Sequence, residues 1–431
     1  MLNLYMKKKT ASLLIIFVLI DIFILGIVAV ILIRRNTGFL TFNISDKDLS
    51  KNNTNNDLEA TPEENDPYIE LQEQILIVPD ELKKGTFSET RKLNLPEGVK
   101  ISLYASGMKA PRSMTFDEAG NMFVTDKSDG KVLLIKDDNS DDIGDPKIVI
   151  DSSLRNPHGI DYFEGDLYVG EEHQIIVYRG IKFDGKFTNK EVLVKNLPTG
   201  GHVTRTVVIG PDRKMYVAVG SSCNVCEEED NRRAAISRYD LDGSNMELFA
   251  VGLRNTVGFV FSPDGKIWGV DNGRDLLGND IPPEEVNIIE EGKNYGWPYC
   301  YGSGVNNPEF SDKKTFCASE TAYPTYEMQA HSAPLGIDYI YEDNNPLDDI
   351  LNDQLLISFH GSWNRTVPTG YKVVRIDTND KEAESIDFVT GWLQKNGSAW
   401  GRPVDIESGE DDAFYITDDH AGAIYRLSAG D

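Results

Sequence analysis

Six positions carry side chains suited to acid–base and anion chemistry: Arg112, His158, His202, Arg254 followed by Asn255, His331 and Arg402. Each stands just ahead of a short apolar run, and successive members are roughly 45 to 75 residues apart. Imidazole titrates near neutrality, so a histidine can accept a proton at ordinary pH. A guanidinium stays charged and grips carboxylates through a fork of N–H donors. The chain has 43 Lys and Arg against 70 Asp and Glu, a net charge of −27. A recurring cationic, imidazole-rich set in so acidic a chain points to an anion-binding site.

The elements that must position these groups repeat. Arg112 leads into SMTF, a turn, then NMFVTD; His158 into GIDY, then DLYVGE; His202 into TVVI, then KMYVAV. Arg254-Asn255 leads into TVGFVF, the turn Ser262-Pro263-Asp264-Gly265, then KIWGVD. His331 leads into LGIDYI and, after an acidic loop, QLLISF; Arg402 leads into VDIE, then AFYITD. Apolar runs separated by turn residues are β-hairpins. Further short strands at 131–136, 174–178 and 371–376 fill the gaps. Six copies of such a unit predict an all-β fold, a six-bladed β-propeller with four antiparallel strands per blade. The residue before each innermost strand then sits at the rim of the central channel, where ligand sites of closed β architectures gather.

Residues 11–33 form an apolar run broken only by Asp21 and flanked by Lys7-Lys8-Lys9 and Arg34-Arg35. It is long enough to span a bilayer, and no small-residue cleavage site follows, so it reads as a transmembrane signal anchor. The lysines and the amino terminus favour a cytoplasmic segment 1–10 and an extracytoplasmic propeller, on the cell surface or periplasmic side of the membrane. Residues 36–84, rich in Asn, Asp, Glu, Lys and Thr, read as a disordered acidic linker, with 75–78 suited to an edge strand. The propeller is expected over 87–431. Acid excess argues against a nucleic-acid partner. No glycine-rich strand–helix turn suggests a nicotinamide site, and no G-x-S-x-G frame suggests a serine hydrolase.

Four cysteines remain: Cys223 and Cys226 in SSCNVCEE, then Cys300 and Cys317. Residue 227 is Glu, which removes covalent haem. Zinc is an alternative, but the sixteen residues between the second pair do not form a tight knuckle. Two loop-closing disulfides suit an external domain better.

From about Leu93 onward the chain resembles the glucose/sorbosone dehydrogenase family of six-bladed propellers, nearest its sorbosone dehydrogenase branch. The resemblance rests on GGHVTRTVVIGPDRKMYVAVGSSCN, GLRNTVGFVFSPDGKIWGVDNG, GKNYGWPYCYG, HSAPLG, FHGSWNRTVPTGYKVV, GRPVDI and YITDDHAGAIYR, in that order. It implies an oxidoreductase that uses pyrroloquinoline quinone (PQQ) and Ca2+ to oxidise a sugar or sugar-derived hydroxyl. By the resemblance His202 is the general base, and Arg254 with Asn255 faces the quinone oxygens. Arg402, Arg365 and Lys372 hold the cofactor carboxylates, with His158 beside them, and the carbonyls of Gly273 and Arg274 bind calcium. Soluble glucose enzymes carry an Asp just before the base; this chain has Gly201. Asp275, Asp280, Glu284 and Glu285 are candidates for additional calcium. The implied partners are a small sugar and an electron acceptor, either a membrane quinone or a small redox carrier.

Two other readings compete. A metal-dependent lactonase on a similar propeller calls for Glu, Asp and Asn converging in the channel. A non-catalytic binding propeller calls for loss of the His202 or Arg254 positions, and both are present.

Overall fold

The structure, a computed structural model, describes residues 69–341, 345, 347 and 350–430; the expected anchor at 11–33 lies outside them. Among the described residues no helix is long and apolar enough to cross a membrane. Six four-stranded antiparallel sheets form the blades, five of them with their strands in chain order from the axis outward. The innermost strands are Pro111–Phe116, Ile160–Phe163, Arg205–Ile209, Thr256–Phe261, Pro334–Ile340 and Pro403–Ser408. In the sixth blade the outermost strand is Val99–Ser106, which pairs antiparallel with Ala423–Ala429 from the other end of the domain. That pairing closes the ring and leaves no open edge at the junction.

The hairpins follow the turn chemistry. Gly265, at φ +82°, sends its N–H to Ser262 O at 2.8 Å, and the flanking strands Thr256–Phe261 and Ile267–Asp271 are antiparallel partners. Apolar side chains then pack between neighbouring sheets. Trp268 of blade 4, 5% exposed, lies against Ile337, Leu355 and Phe359 of blade 5 and stacks on Tyr326 at 6.3 Å.

Side chains of the inner two strands tie every blade to the next. The Thr125 hydroxyl donates to His158 O (2.6 Å), joining blades 1 and 2, and Asp161 accepts from Ile209 N (2.6 Å), joining blades 2 and 3. Thr206 donates to Val257 O, and Asn272 to Pro334 O (2.8 Å). Asp338 accepts from Ser408 N (2.9 Å) and Oγ (2.6 Å), Asp405 from Met114 N (3.0 Å), and Thr417 donates to Arg112 O (2.6 Å). Asp161, Asp338, Asp405 and Glu407 line a cavity of about 110 Å³ inside the channel. Desolvation there pushes Asp161 and Asp405 up to about 7, Asp338 to about 6, and Glu407 well above the usual carboxylate range.

The linker boundary expected at 84 requires correction. Leu71–Ile75 pairs antiparallel with Lys92–Pro96, and Asn94 of that strand bridges to Thr390 after the outermost strand of blade 5. Leu76 and Phe87, each 3% exposed, complete a core with Trp392, Trp400 and Tyr425. The folded body therefore begins by residue 71, because Leu76 fills a site that an exposed linker would leave empty.

Candidate active site

The rim loops are fastened by a repeated device. An acid at the end of a blade's second strand accepts backbone N–H groups from the loop ahead of the first. Asp126 takes Lys109 N (2.8 Å) and Ala110 N (2.9 Å), Asp271 takes Arg254 N (3.0 Å) and Asn255 N (2.8 Å), and Asp418 takes Arg402 N (2.9 Å). Glu171 does the same for Arg155 N at 2.6 Å. Blade 3 has no such acid. There two buried guanidiniums cradle the loop 198–204 through its carbonyls: Arg205 donates to His202 O (2.9 Å) and Thr204 O (2.6 Å), and Arg233 donates to Thr199 O (2.6 Å) and Gly200 O (3.2 Å).

His202 is carried on that loop. Its Nδ1 lies 3.0 Å from both the carbonyl and the hydroxyl oxygen of Ser221, and the Ser221 hydroxyl spends its own hydrogen on Cys223 O at 2.8 Å. Both oxygens facing Nδ1 are therefore acceptors, and Nδ1 must carry the proton. Nε2 keeps its lone pair. Burial, with Arg254 next in effect, pushes the imidazole down to about 4, so it is neutral near pH 7. Ser221 thus orients the ring. Gly201, at φ +62°, has no room for a Cβ, which would lie 2.5 Å from Ser222 Cα.

Gly220 brings the next blade into reach: a Cβ there would meet Asn255 Oδ1 at 2.2 Å and His202 Cβ at 2.8 Å. Arg254, 4% exposed, fans out into Asn224 O (3.1 Å), Asn224 Oδ1 (3.0 Å), Asn272 O (3.1 Å), Gly273 O (2.8 Å) and Asp275 (3.4 Å). Asn255 Oδ1 is buried and unpartnered. Arg274 turns outward and grips Glu309 with both terminal nitrogens, at 2.7 and 2.9 Å.

Across the mouth lies a second cluster. Arg112 donates to Asp419 (2.6 Å) and to His158 Nε2 (3.2 Å), which leaves the proton of the buried His158 on Nδ1, without a partner. His360 donates from Nε2 to the other Asp419 oxygen at 2.8 Å. Burial pushes His360 down to about 4 and His158 further, while His360 and Arg112 hold Asp419 well below the usual range despite its burial. Arg402 donates to His360 O (3.0 Å) and Gly361 O (2.9 Å) over the Tyr371 ring.

The structure therefore brings His202, Arg254 and Asn255 together, and His158 and Arg402 around the Arg112–Asp419–His360 cluster. Lys372 is paired with Asp387 on the outermost strand of blade 5. Arg365 donates to Asn279 O (2.6 Å) and pairs with Asp280 at 3.0 Å, joining two loops. His331 donates from Nε2 to Gly278 O (2.8 Å), and its Nδ1 faces the Asn364 amide at 3.3 Å; that amide donates to Asp275 (2.8 Å), the acid beside Arg254, so His331 is tied to the Arg254 wall. The acids considered for extra calcium are engaged too. Glu284 accepts from Gly273 N (2.6 Å) and Ala333 N (3.1 Å), and Glu285 from Gly302 N (2.8 Å). Among the described residues the one His, Cys, Asp and Glu group close enough to share an ion is Cys223, Cys226 and Glu228. Those cysteines form a disulfide, as do Cys300 and Cys317, so zinc is not their role.

A profile described as TrAA12-like matches residues 93–430. The chain belongs to this family. It is 33% identical over 359 residues to an uncharacterised protein of Borreliella burgdorferi, covering 78% of this chain and 91% of the relative. It is 26% identical over 416 residues to a PQQ-dependent pyranose dehydrogenase of Coprinopsis cinerea, covering 78% of this chain and 54% of the relative. Among solved structures, the holo PQQ domain of the Coprinopsis cinerea pyranose dehydrogenase superposes with a TM-score of 0.68 at 22% identity, covering 78% of this chain and 97% of that domain. A calcium structure of the Trichoderma reesei AA12 enzyme gives 0.66 at 22% identity, covering 78% and 96%. These superpositions establish the six-bladed fold of this TrAA12-like chain.

PQQ, a planar quinone with three carboxylates, fits the mouth on the chemistry of the donors present. Arg112 Nε and His158 Nδ1 are buried polar atoms without partners, as is Asn255 Oδ1 on the opposite wall. Unpaired buried polar groups at a channel mouth call for a polar occupant. Calcium would rest on the Gly273 carbonyl, which retains one lone pair beyond its bond to Arg254, and on that of Arg274, which accepts no hydrogen bond among the described residues.

Proposed function

We propose that this TrAA12-like chain is a PQQ-dependent sugar dehydrogenase whose general base is His202. The carrying observation is the ring of His202, fixed with Nδ1 protonated and Nε2 free, beside the guanidinium of Arg254. The relatives' names, pyranose and sugar dehydrogenases, support the class of substrate. A quinone bound in the mouth would supply the acceptor for the hydride, which carries both electrons of the oxidation. His202 Nε2 takes the proton of the sugar hydroxyl as the hydride leaves carbon, and the neutral imidazole has the capacity to do so at any pH above its depressed pKa. The charge of Arg254, whose N–H groups hold the neighbouring loops, and the side-chain amide of Asn255 stand where negative charge would accumulate. Arg112, Arg402 and His158 hold the carboxylates, and Gly273 and Arg274 offer carbonyls to calcium.

The sequence adds the setting. The apolar run 11–33 anchors the chain with the propeller outside the cytoplasm, where electrons pass to a membrane quinone or a small redox carrier. Sorbosone and aldoses are the substrates to try first. The test is dye reduction by the full chain loaded with PQQ and calcium, across aldoses, sorbosone and simple alcohols. Sugar oxidation that falls by about 10²- to 10⁴-fold in His202→Ala, with quinone still bound, is the expected result. Quinone binding without turnover of any sugar overturns it.

A further inference from the structure

Two halves of the site, on different blades, are held by one short segment. Ser221 fixes the tautomer of His202, and its hydroxyl is itself fixed by Cys223 O at 2.8 Å. Asn224 accepts Nε and Nη2 of Arg254 on its main-chain and side-chain oxygens, at 3.1 and 3.0 Å. The same Asn224 side chain accepts from Asp275 N (2.8 Å) and donates to Asp275 O (3.0 Å), closing a double bond pair with the loop that carries Gly273 and Arg274. Trp297 Nε1, 3.4 Å from Asn224 O, backs it from behind. Asn224 is the second residue of the ring closed by Cys223–Cys226.

That disulfide closes only four residues. Stabilisation by cross-linking grows with loop length, so a ring this small does little for the fold as a whole. Its consequence is local: it limits the φ and ψ freedom of Asn224, which faces two loops with a donor and two acceptors at once. Cys300–Cys317, by contrast, is itself buried and closes a longer loop within the blade 4 insertion.

We propose that the segment 221–226, clamped by its disulfide, is the positioning element of the active site: Ser221 sets the proton of His202 on Nδ1 and Asn224 sets the fork of Arg254. The inference deepens the dehydrogenase reading, but the tautomer of His202 belongs to the chain itself and is measurable without cofactor. In nitrogen-15 histidine spectra of the full chain, His202 is a single Nδ1–H tautomer. In Cys223→Ser/Cys226→Ser a second, Nε2–H population appears as the segment loosens, while Ser221→Ala, whose main-chain carbonyl still accepts from Nδ1, keeps the Nδ1–H tautomer. In loaded enzyme Asn224→Ala lowers kcat by about 10- to 100-fold with KM little changed, the range seen when outer hydrogen-bond partners of a functional group are lost. A single Nδ1–H tautomer in the cysteine variant together with wild-type kcat in Asn224→Ala overturns the proposal. If the cysteine variant does not fold, the same spectra of the folded wild-type chain after reduction of the disulfide decide the same point. A wild-type chain that binds no PQQ removes the dehydrogenase reading alone; the tautomer of the cysteine variant still decides the role of the segment.

Discussion

The two ends of the channel are built by the same six inner strands and have opposite chemistry. At the mouth stand Arg112, His158, His202, Arg254 and Arg402, and Arg112 Nε and His158 Nδ1 are buried without partners. In the interior stand Asp161, Asp338, Asp405 and Glu407, and the three aspartates spend their oxygens on backbone amides of the next blade. Burial drives both sets toward neutrality, the interior carboxylates up and the rim histidines down. What separates the two regions is the sign of the groups they bury: guanidiniums and imidazoles at the mouth, carboxylates in the interior.

Breaking the mouth should act on turnover more than on the fold. Arg254→Lys keeps the charge and loses the fork, so kcat should fall by about 10²- to 10³-fold in steady-state assays; the loop oxygens of Asn224, Asn272 and Gly273 lose their donor, so the thermal midpoint should fall as well while the chain stays folded at ordinary temperature. A variant that instead unfolds at ordinary temperature would make Arg254 part of the scaffold.

The depressed His202 sharpens the contrast through pH. A base with a pKa near 4 stays competent as pH falls, so the acid limb of kcat/KM should lie near pH 4 to 5. An unperturbed histidine would put that limb near 6.5, a difference of about 2 pH units.

The interior predicts a stability effect with a definite sign. Its carboxylates have folded pKa values raised above those of the unfolded chain, so between about pH 4 and 7 the folded state binds more protons. Their contribution is fully present below pH 4 and is lost as pH rises through the folded values. Asp338→Asn with Asp405→Asn should flatten that fall in denaturant titrations, by at most about 1.4 kcal/mol for each tenfold gain in proton affinity that the substitution abolishes, and leave quinone affinity unchanged. The smallest effect belongs to Lys372→Ala. Its pair with Asp387 is partly exposed, so stability should change by about 1 kcal/mol or less, with quinone affinity as in the wild type.

The rim was legible in the sequence because each of its residues sits at a fixed place in a repeat. Arg112, His158, His202, Arg254 and Arg402 all precede an inner strand. A second periodic signal was present and goes with them: the acids ending the second strands, Asp126 in FVTD, Asp271 in GVD and Asp418 in ITD, which clamp those rim loops. The segment 361–372, which carries Arg365 and Lys372, supplies no repeat position, so no sequence pattern shows their partners: Asn279 and Asp280 for Arg365, Asp387 for Lys372. Ser221, Asn224, Arg233 and Asp419 escaped notice for a physical reason. Their partners lie on other loops or other blades, as Asp419 lies 307 residues from Arg112, and no local pattern records such a contact. The fold boundary near residue 71 was legible only in part: 75–78 read as suited to an edge strand, but the strand itself, Leu71–Ile75, is mostly polar and exposed, and the buried Leu76 follows it.

The most direct test of the central claim is a calorimetric titration of the full chain with PQQ in the presence of calcium. The structure predicts saturable, one-to-one binding at micromolar concentration that is weakened in Arg402→Ala. A folded chain that takes up no quinone, or takes it up equally well without Arg402, would contradict the assignment of the channel mouth as the cofactor site.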